Sequence, residues 1–362
     1  MGFDHSSRLA RLREMMGSGG YDAALLSVGS DLPYFTGYEA MATERLTMLV
    51  VPSDGDPALF IPRLEAPRVS PGAFEVVPWD ETDDPVRLVA QRIVGADRVA
   101  IGDHTWSVFL LALQDHLADT RWDRASLLTS QLRMRKDQAE IEALRAAGHG
   151  IDRVMGRIPS EVRFSGRTEL EVSRDLARMT IEEGHEVSSF TIVASGPNGA
   201  SPHHETGHRV VQPGDLVVCD FGGRVDGYFS DSTRTFSVGA PDARQTEVHG
   251  LVAAANEAAR SAVRVGLPCQ EVDRAARKVI TDGGYGEHFI HRTGHGIGLE
   301  THEHPYMVEG NDLPLERGMA FSIEPGIYLP GEFGVRIEDI VVCGDEGADE
   351  LNVSSRELVI VE

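Results

Sequence analysis

The stretch CDFGGRVDGYFSDSTRTF at residues 219–236 predicts a β-hairpin that brings two aspartates together. An apolar run precedes Asp220, which argues against an outward-facing charged hairpin, and Asp226-Gly227 is a turn signal between the two strands. If the turn is Val225-Asp226, Asp220 lies directly across from Asp231. If the turn is Asp226-Gly227, the two carboxylates are diagonal neighbours on one face. Either register places their Cβ atoms roughly 5 to 8 Å apart.

Three further motifs supply the remaining acidic and imidazole candidates. They are HRTGHGIGLETHEHP at 291–305, SIEPGIY at 322–328 and VRIEDI at 335–340. Oxygen and imidazole ligands without a thiolate suit Mn²⁺, Co²⁺, Fe²⁺ or Zn²⁺, and four carboxylates neutralise two divalent cations. Two such ions can clamp both the attacking and the leaving atoms of a hydrolysis. The motifs therefore predict a two-metal hydrolytic site with the ligands Asp220, Asp231, His295, Glu324 and Glu338.

The surroundings of these candidates predict their local structure. Glycines on both sides of His295 remove side-chain bulk and weaken the alternative of a helical stripe of histidines. Glu324 precedes Pro325-Gly326, a turn expected to end its strand. In VRIEDIVV, alternation along a single strand puts Arg336 and Glu338 on the same face. Arg336 is then either the ion-pair partner of a buried carboxylate or the group that holds a substrate carboxylate, and the pattern leaves both open.

Composition argues against several classes of function. The chain has 362 residues, of which 41% are hydrophobic, so burial is not limiting and two domains are the default expectation. A formal net charge of −23 argues against a nucleic-acid partner, because binding to a phosphate backbone needs a basic face. With neither a long apolar run nor a basic leader before an apolar segment, we expect no membrane partner and a cytoplasmic location.

The three cysteines, Cys219, Cys269 and Cys343, are odd in number and lack a CxxC spacing. This pattern favours reduced thiols over a disulfide framework or a thiolate metal site. Each is most simply interpreted as a small core residue.

The first 130 residues predict an α/β domain. Its strand-like runs YDAALLSV, LTMLVVP, ALFIP, FEVVPW and RVAIG alternate with amphipathic stretches near 6–17, 83–94 and 106–117. This part of the sequence has neither a nucleophile elbow nor a glycine-rich phosphate loop after a strand. The helical pattern LRMRKDQAEIEALRAA follows, and a boundary just before it gives domains of residues 1–130 and 131–362.

The sequence of the second domain predicts an α+β fold with two similar halves. After the long helix, Thr168 and Glu171 form a capping box for a second helix, and Gly184 is its expected stop. Strands and a hairpin follow. After Asp242 the order repeats, with helices through GLVAAANEAARSAV and EVDRAARKVITDGG and then strands around FSIEPGIYL, GVRIEDIVVC and ELVIV. This repetition favours a pseudo-symmetric domain whose halves both contribute ligands to a central cleft.

These motifs resemble those of the pita-bread metallopeptidases, the family of methionine aminopeptidase, aminopeptidase P and Xaa-Pro dipeptidase (prolidase). DLPYFTGY at 31–38 is similar to the N-terminal domain of the creatinase and prolidase branch, and RMRKDQAEIEALRAA is similar to the family's linking helix. HRTGHGIGLETHEHP is similar to the Xaa-Pro-cleaving members. The resemblance covers nearly the whole chain. It implies a C-terminal pseudo-twofold pita-bread domain, of α+β class, after an N-terminal α/β creatinase-like domain.

The resemblance also implies a role for each ligand. Asp220 would chelate one ion, while Asp231 and Glu338 would bridge both ions. His295 and Glu324 would complete the second ion, and Glu324 would also be the proton shuttle. Two divalent ions per chain are expected, with Mn²⁺ favoured over Co²⁺, Zn²⁺ or Fe²⁺.

Four further residues match positions around the family's substrate. His203, in NGASPHHETG, matches the histidine that contacts the substrate near the scissile bond, although neighbouring His204 competes for that position. His302 matches the histidine that stabilises the tetrahedral intermediate. His291 and Arg336 match positions that line the proline-side pocket.

The reaction implied is hydrolysis of an Xaa-Pro bond, most simply in dipeptides, by attack of a metal-bound hydroxide whose proton Glu324 passes to the proline nitrogen. The expected partner is a small peptide with proline in second position, and the expected assembly is a homodimer whose N-terminal domain caps the partner's cleft. Alternatives are an aminopeptidase P for longer peptides, a metal-free amidinohydrolase like creatinase, and a non-catalytic binding module. Retention of all five ligand types argues against the last two.

Overall fold

The structure is a computed structural model that describes residues 2–362. The chain separates into two units, Met1–Arg133 and Met134–Glu362. Among the helices formed by residues 2–362, none combines the length and the apolar character needed to cross a membrane. The three cysteines are unpaired and buried, so each is a small core residue as predicted.

The first unit is built on one six-stranded mixed sheet. Its strands are β1 Ala23–Leu26, β2 Met48–Pro52, β3 Ala58–Pro62, β4 Glu75–Trp79, β5 Arg98–Ile101 and β6 Arg121–Arg124. The strand order is β4-β3-β2-β1-β5-β6, in which β1 is antiparallel to β2 and parallel to β5. All four residues of β1 are buried, as expected for a strand covered on both faces.

The described residues of the first unit form five α-helices, two of which begin at an aspartate that caps them. The five helices are α1 His5–Gly19, α2 Asp31–Thr36, α3 Pro85–Arg92, α4 Ser107–His116 and α5 Ser126–Arg133. The side chains of Asp4 and Asp84 accept hydrogen bonds from the first turns of α1 and α3. The five predicted strands and three predicted helices are confirmed, whereas β6, α2 and α5 were not predicted. The sequence of β6, RWDR, is charged, and α2 has only six residues.

The second unit contains two pairs of helices, each followed by strands. The helices are α6 Gln138–Glu161, α7 Glu169–Glu182, α8 Ala243–Ala262 and α9 Cys269–Asp282. The capping box of Thr168 and Glu171 is present at the start of α7, and Gly184 just after the helix has a φ of +99°, so both predictions are confirmed. Capping boxes also begin α6, with Asp137 and Glu140, and α8, with Asp242 and Gln245.

The strands of the second unit form three sheets. They are β7 Val187–Ser195, β8 Leu216–Val225, β9 Tyr228–Phe229, β10 Ser232–Val238, β11 Gly294–Gly296, β12 Glu303–Met307, β13 Ala320–Ile323, β14 Gly326–Leu329, β15 Phe333–Arg336, β16 Asp339–Cys343, β17 Ala348–Glu350 and β18 Val359–Val361. The sheets have the orders β18-β10-β8-β7, with β9 also paired to β8, then β12-β11-β13-β16-β17, and β14-β15. Helix pairs followed by antiparallel strands occur twice, which confirms the predicted repetition.

The aspartate hairpin adopts the second of the two predicted registers. Asp226 and Gly227 form the turn, with φ of 49° and 83°, and Val225 pairs with Tyr228. Thr233 therefore lies directly across from Asp220, and Asp231 is its diagonal neighbour.

The chain near Glu338 differs from its prediction. VRIEDIVV is not one strand: β15 ends at Arg336 in the two-stranded sheet, and β16 begins at Asp339 in the five-stranded sheet. Between them the backbone N–H of Glu338 donates to the carbonyl of Thr233 at 3.1 Å. The alternation argument fails because the strand is interrupted, yet Arg336 and Glu338 both line the same cavity.

Candidate metal centre

The five predicted ligands converge on one cavity of the second unit, with a volume of about 590 Å³. Asp220 comes from β8, Asp231 from the gap between β9 and β10, His295 from β11, Glu324 from the turn between β13 and β14, and Glu338 from the gap between β15 and β16. His295 Nε2 lies 3.3 Å from Glu324 Oε1, 3.7 Å from Asp231 Oδ2 and 4.0 Å from Glu338 Oε1.

The donor atoms fall into overlapping groups in which all atoms lie within 4.8 Å of one another. One group is Asp220, Asp231 and Glu338, and a second is His295, Glu324 and Glu338. The two groups share Glu338, which is the arrangement needed if one carboxylate is to serve two neighbouring ions. A third group adds His302 to Asp231 and His295.

Three carboxylate oxygens of the cluster are buried without a hydrogen-bond partner among residues 2–362. They are Asp220 Oδ1, Asp231 Oδ1 and Glu338 Oε1. Burying a charged oxygen without a partner is strongly unfavourable, so such atoms call for an explanation, and a bound cation is the simplest one. These orphaned oxygens therefore fit a divalent metal centre.

The orientation of His295 points to the same conclusion. Its Nδ1 lies 3.1 Å from the carbonyl oxygen of Gly296, so Nδ1 carries the hydrogen and donates it. Burial lowers the pKa of His295 to about 3, which keeps the ring neutral. The lone pair of Nε2 consequently faces the carboxylates. Without a cation between them, this lone pair and the carboxylate oxygens repel each other, and the arrangement is typical of a histidine that ligates a metal.

The carboxyl groups of the cluster have perturbed acidities. Burial, reinforced by neighbouring carboxylates, raises the pKa of Asp231 and of Glu338 well above the usual range. Burial also raises the pKa of Glu324 to about 7. The protein therefore holds these groups close together at a cost in free energy that bound cations would offset.

A single buried amide links the two backbone segments that carry Glu324 and Glu338. Asn256 in α8 is fully buried, and its Nδ2 donates to the carbonyls of Ile323 at 3.0 Å and Ile337 at 3.3 Å. These residues immediately precede Glu324 and Glu338. The amide thus fixes the distance between the two backbone segments from which the carboxylates extend.

Hydroxyl groups orient the carboxylates themselves. Thr233 Oγ1 donates to Glu338 Oε2 at 2.8 Å. Ser322 Oγ accepts from the backbone N–H of His295 at 3.0 Å and donates to Glu324 Oε1 at 3.3 Å. The contact from Thr233 leaves Glu338 Oε1 without a hydrogen-bond partner, while the contact from Ser322 holds the Glu324 oxygen that lies nearest to His295 Nε2.

Arg336 is an ion-pair partner in this structure. It is 3% exposed, and its Nη2 donates to Asp220 Oδ2 at 2.6 Å. Its Nη1 donates to the hydroxyl of Tyr328 at 3.0 Å, and His291 Nε2 lies 2.8 Å from the same hydroxyl. Of the two alternatives left open by the sequence, the geometry favours the ion pair. Arg336 and His291 nevertheless meet at one edge of the cavity.

The three remaining histidines separate into two groups. His203 and His302 are exposed and line the cavity, and the rings of His302 and His295 are 4.0 Å apart between centroids. His204 instead points to Glu169, with 2.9 Å between Nε2 and the carboxylate oxygen Oε2. The structure therefore resolves the choice between the adjacent histidines in favour of His203 as the one that faces the cavity.

Several residues of the site were not predicted from the sequence. Phe190 and Ile192 of β7 give the cavity an apolar wall, and Tyr328 connects His291 with Arg336. Residues of this type carry no motif, since apolar and aromatic side chains in a strand are ordinarily core. The position of Tyr328 four residues after Glu324 in SIEPGIY was the only available signal.

Comparison with known proteins agrees with this geometry. Residues 142–345 match the model of metallopeptidase family M24, and residues 8–135 match the creatinase/prolidase N-terminal domain. The chain is 44% identical over 364 residues to the probable dipeptidase PepE of Mycobacterium tuberculosis, covering 99% of this chain and 96% of that protein. It is 36% identical to an Xaa-Pro dipeptidase of Lactobacillus delbrueckii subsp. lactis, covering 98% of each.

A solved structure gives the same result for the fold. A recombinant prolidase from Thermococcus sibiricus superposes with a TM-score of 0.95 at 38% identity, over 100% of both chains. Family M24 comprises metallopeptidases, whose activity depends on divalent metal ions. The predicted pita-bread domain and creatinase-like N-terminal domain are thereby confirmed, and the chain is an enzyme that belongs to metallopeptidase family M24.

Proposed function

We propose that this metallopeptidase is an Xaa-Pro dipeptidase, or prolidase, that hydrolyses the bond before the proline of dipeptides with two divalent ions. One observation carries the proposal: three orphaned carboxylate oxygens and the lone pair of His295 Nε2 face one cavity. The names of the similar dipeptidases, and of the prolidase with the same fold, support the substrate class.

The ligand roles follow from the two donor groups. We propose that Asp220 holds one ion and that Asp231 and Glu338 are shared by both. His295 and Glu324 complete the second ion, consistent with their membership of one group with Glu338. When bound, the ions would supply a water of lowered pKa, from about 15.7 to about 7, and a positive field for the developing oxyanion.

Glu324 is proposed to move the proton. Its carboxyl lies at the cavity, and burial raises its pKa to about 7. Because this pKa is close to neutral pH, the carboxyl can both accept and release a proton during turnover. It would take the proton from the attacking water and deliver it to the proline nitrogen. That nitrogen belongs to a tertiary amide and must be protonated before it can leave.

The other cavity residues are proposed to bind and orient the substrate. His203 would contact the substrate near the scissile bond, and His302 would donate to the tetrahedral oxyanion. Partial desolvation of the ring within the cavity, together with nearby Arg292, lowers the pKa of His302, so the neutral ring is present at neutral pH and its N–H is the donor. His291 and Arg336, joined through Tyr328, would line the proline side.

The cavity itself supports a small substrate. Its volume of about 590 Å³ lies within the range of small-molecule sites, and Phe190 and Ile192 add apolar surface. A dipeptide fits this volume, and longer peptides would need to leave through the opening. The main competing proposal, an aminopeptidase P, differs only in that it would accept these longer peptides.

A four-substrate digest with added Mn²⁺ tests the proposal. Ala-Pro, Ala-Ala, Ala-Pro-Ala and creatine are incubated separately with the full chain, and products are quantified. A prolidase cleaves Ala-Pro fastest. Faster cleavage of Ala-Pro-Ala identifies an aminopeptidase P, and cleavage of creatine alone identifies an amidinohydrolase. Cleavage of none of the four refutes the proposed substrate class.

Replacing His302 with alanine is expected to reduce kcat for Ala-Pro by about 10²- to 10³-fold, the usual cost of losing one oxyanion donor. The expected change in KM is small, because the hydrogen bond forms mainly in the transition state. Steady-state kinetics of His302→Ala are compared with His208→Ala, in which an exposed histidine outside the cavity is removed. A change confined to KM would assign His302 to substrate binding instead.

We also propose Mn²⁺ as the resident ion, a homodimer as the assembly and the cytoplasm as the location. Oxygen-rich ligands support Mn²⁺. The exposed side chains of Trp106, Val108 and Leu111 at α4 support self-association through apolar surface. Three free thiols support a reducing compartment. Metal analysis of protein purified without chelator and light scattering after gel filtration test the first two.

A further inference from the structure

One of the buried carboxylates outside the metal cluster lies at the first residue of α7. Glu169 has no exposed surface, yet it is fully hydrogen-bonded. Its Oε1 accepts from the backbone N–H and the hydroxyl of Ser195, each at 2.7 Å, and from Asn198 Nδ2 at 3.0 Å. Its Oε2 accepts from His204 Nε2 at 2.9 Å and from the same Asn198 Nδ2 at 3.1 Å. Nothing in the proposed reaction uses this carboxylate.

The charge of Glu169 is maintained by these donors. Burial alone would raise its pKa, but the hydrogen bonds from Ser195, His204 and Asn198 outweigh burial and leave the pKa below its usual value. The group is therefore a carboxylate at neutral pH. Hydrogen bonds to a charged acceptor are about twice as strong as neutral ones, so the contacts are strong restraints.

All of these donors belong to one stretch of chain, residues 195–204, which we call the anchor segment. It begins where β7 ends at Ser195 and contains the short 3₁₀ turn Gly196–Ala200. On its other side it packs tightly against β15, since a Cβ at Gly334 would overlap the carbonyl oxygen of Gly199. The anchor segment is thus fixed between a buried charge and a strand of the metal cavity.

The anchor segment also carries two groups into the cavity. Pro202 and His203 line it, and the carbonyl of Pro202 accepts from Arg336 Nη1 at 3.4 Å. The adjacent histidines therefore face in different directions: His204 faces Glu169, and His203 faces the cavity. Because the two are consecutive, the direction of one restricts the direction of the other.

We propose that Glu169 is a positioning residue, which fixes the anchor segment through His204 and thereby directs His203 toward the substrate. This inference rests on the proposed substrate contact of His203. Its role is distinct from general stabilisation because it acts through one named side chain. Loss of the His204 contact should cost catalysis only while His203 is present.

The test is a double-mutant cycle on Ala-Pro hydrolysis. His204→Leu removes the hydrogen bond to Glu169 at a side chain that is only 17% exposed, and it is expected to lower kcat/KM by about ten- to a hundredfold. His204→Gln, which keeps an N–H donor, should restore most of the loss. In the His203→Ala background, His204→Leu should cause no further loss. His208→Leu is the matched control at an exposed site.

Hydrogen exchange measured by mass spectrometry provides a readout that does not depend on activity. In Glu169→Gln and in His204→Leu, the peptide covering residues 195–206 should exchange faster than in the wild type, while the β8 and β10 peptides remain unchanged. Unchanged kinetics for His204→Leu, an additive loss in the His203→Ala background, or unchanged exchange in the anchor segment would each overturn the inference. Failure of the wild-type protein to cleave Ala-Pro would instead contradict the proposed function. Hydrogen exchange would then still test whether Glu169 and His204 fix the anchor segment.

Discussion

Replacing Glu324 with glutamine is expected to lower kcat for Ala-Pro by about 10²- to 10⁴-fold, the range for loss of a general acid-base group. Glutamine preserves the size of the side chain and its contact with Ser322, but it cannot accept a proton. The carboxyl of Glu324 is suited to proton transfer because burial raises its pKa to about 7. The measurement is steady-state kinetics, with metal content determined on the same sample.

Metal content separates the two roles assigned to Glu324. If the variant keeps its metal and loses turnover, proton transfer is the function removed. Glu346→Gln, at an exposed position, is the control for loss of a surface charge. Substantial turnover by a fully metal-loaded Glu324→Gln variant would rule out the shuttle role, and turnover lost in strict proportion to metal would reduce Glu324 to a ligand.

The second large effect is expected at Asp231. At pH 8, Asp231→Asn should raise the melting temperature of metal-free protein by roughly 2 to 6 °C, because asparagine stays neutral at a buried site where ionisation of Asp231 beside other carboxylates is unfavourable. The same change should abolish the rise in melting temperature that Mn²⁺ gives the wild type. That rise reflects about 2.7 kcal/mol of binding free energy at a hundredfold excess over Kd. Scanning fluorimetry with EDTA or with Mn²⁺ measures both.

The pH dependence of the metal-free protein follows from the same acidities. Burial and neighbouring carboxylates raise the pKa of Asp231 and Glu338 in the folded chain above the value in the unfolded chain. The folded state therefore binds protons more tightly, and this contribution to stability is complete below the ordinary carboxyl pKa of about 4. It is lost as the pH rises through the raised pKa. EDTA-treated wild type should consequently be less stable at pH 8 than at pH 6.

Asp226→Asn is a matched control for Asp231→Asn. It removes one carboxylate from the exposed turn of the same hairpin, where asparagine tolerates the positive φ of 49°. It should leave the response to Mn²⁺ and the pH profile unchanged. If metal-free Asp231→Asn melts at a lower temperature than metal-free wild type at pH 8, repulsion among the buried carboxylates does not destabilise the metal-free protein.

The hairpin shows how far the sequence could define the site. The turn signal Asp226-Gly227 and the apolar run before Asp220 were sufficient to place two carboxylates side by side, because hairpin pairing has only a few registers. The choice between registers needed the structure, since both turns fit the local residues. Short-range rules thus located this half of the site to within one register.

Glu338 shows where local rules fail. Its sequence alternates like a strand, but the backbone leaves one sheet at Arg336 and enters another at Asp339. That break is set by contacts with Thr233 and with Asn256, both distant in the sequence. Long-range hydrogen bonds of this kind leave no pattern near the residue they position.

The adjacent histidines illustrate the same limit. Nothing in the letters of NGASPHHETG distinguishes His203 from His204, because both are polar, consecutive and outside regular structure. The distinction depends on Glu169, thirty-odd positions earlier, and on its burial at the start of α7. A resemblance to a family could identify the substrate-facing histidine only by alignment. The structure identifies it from the direction in which each side chain points.

Crystals of the full chain grown with Mn²⁺ would test the central claim most directly, through an anomalous difference map collected near the manganese edge. We expect two peaks in the cavity, one beside Asp220 and one beside His295, with Asp231 and Glu338 between them. A map without peaks, in which these carboxylates turn to solvent or pair only with Arg336, would contradict the two-metal site.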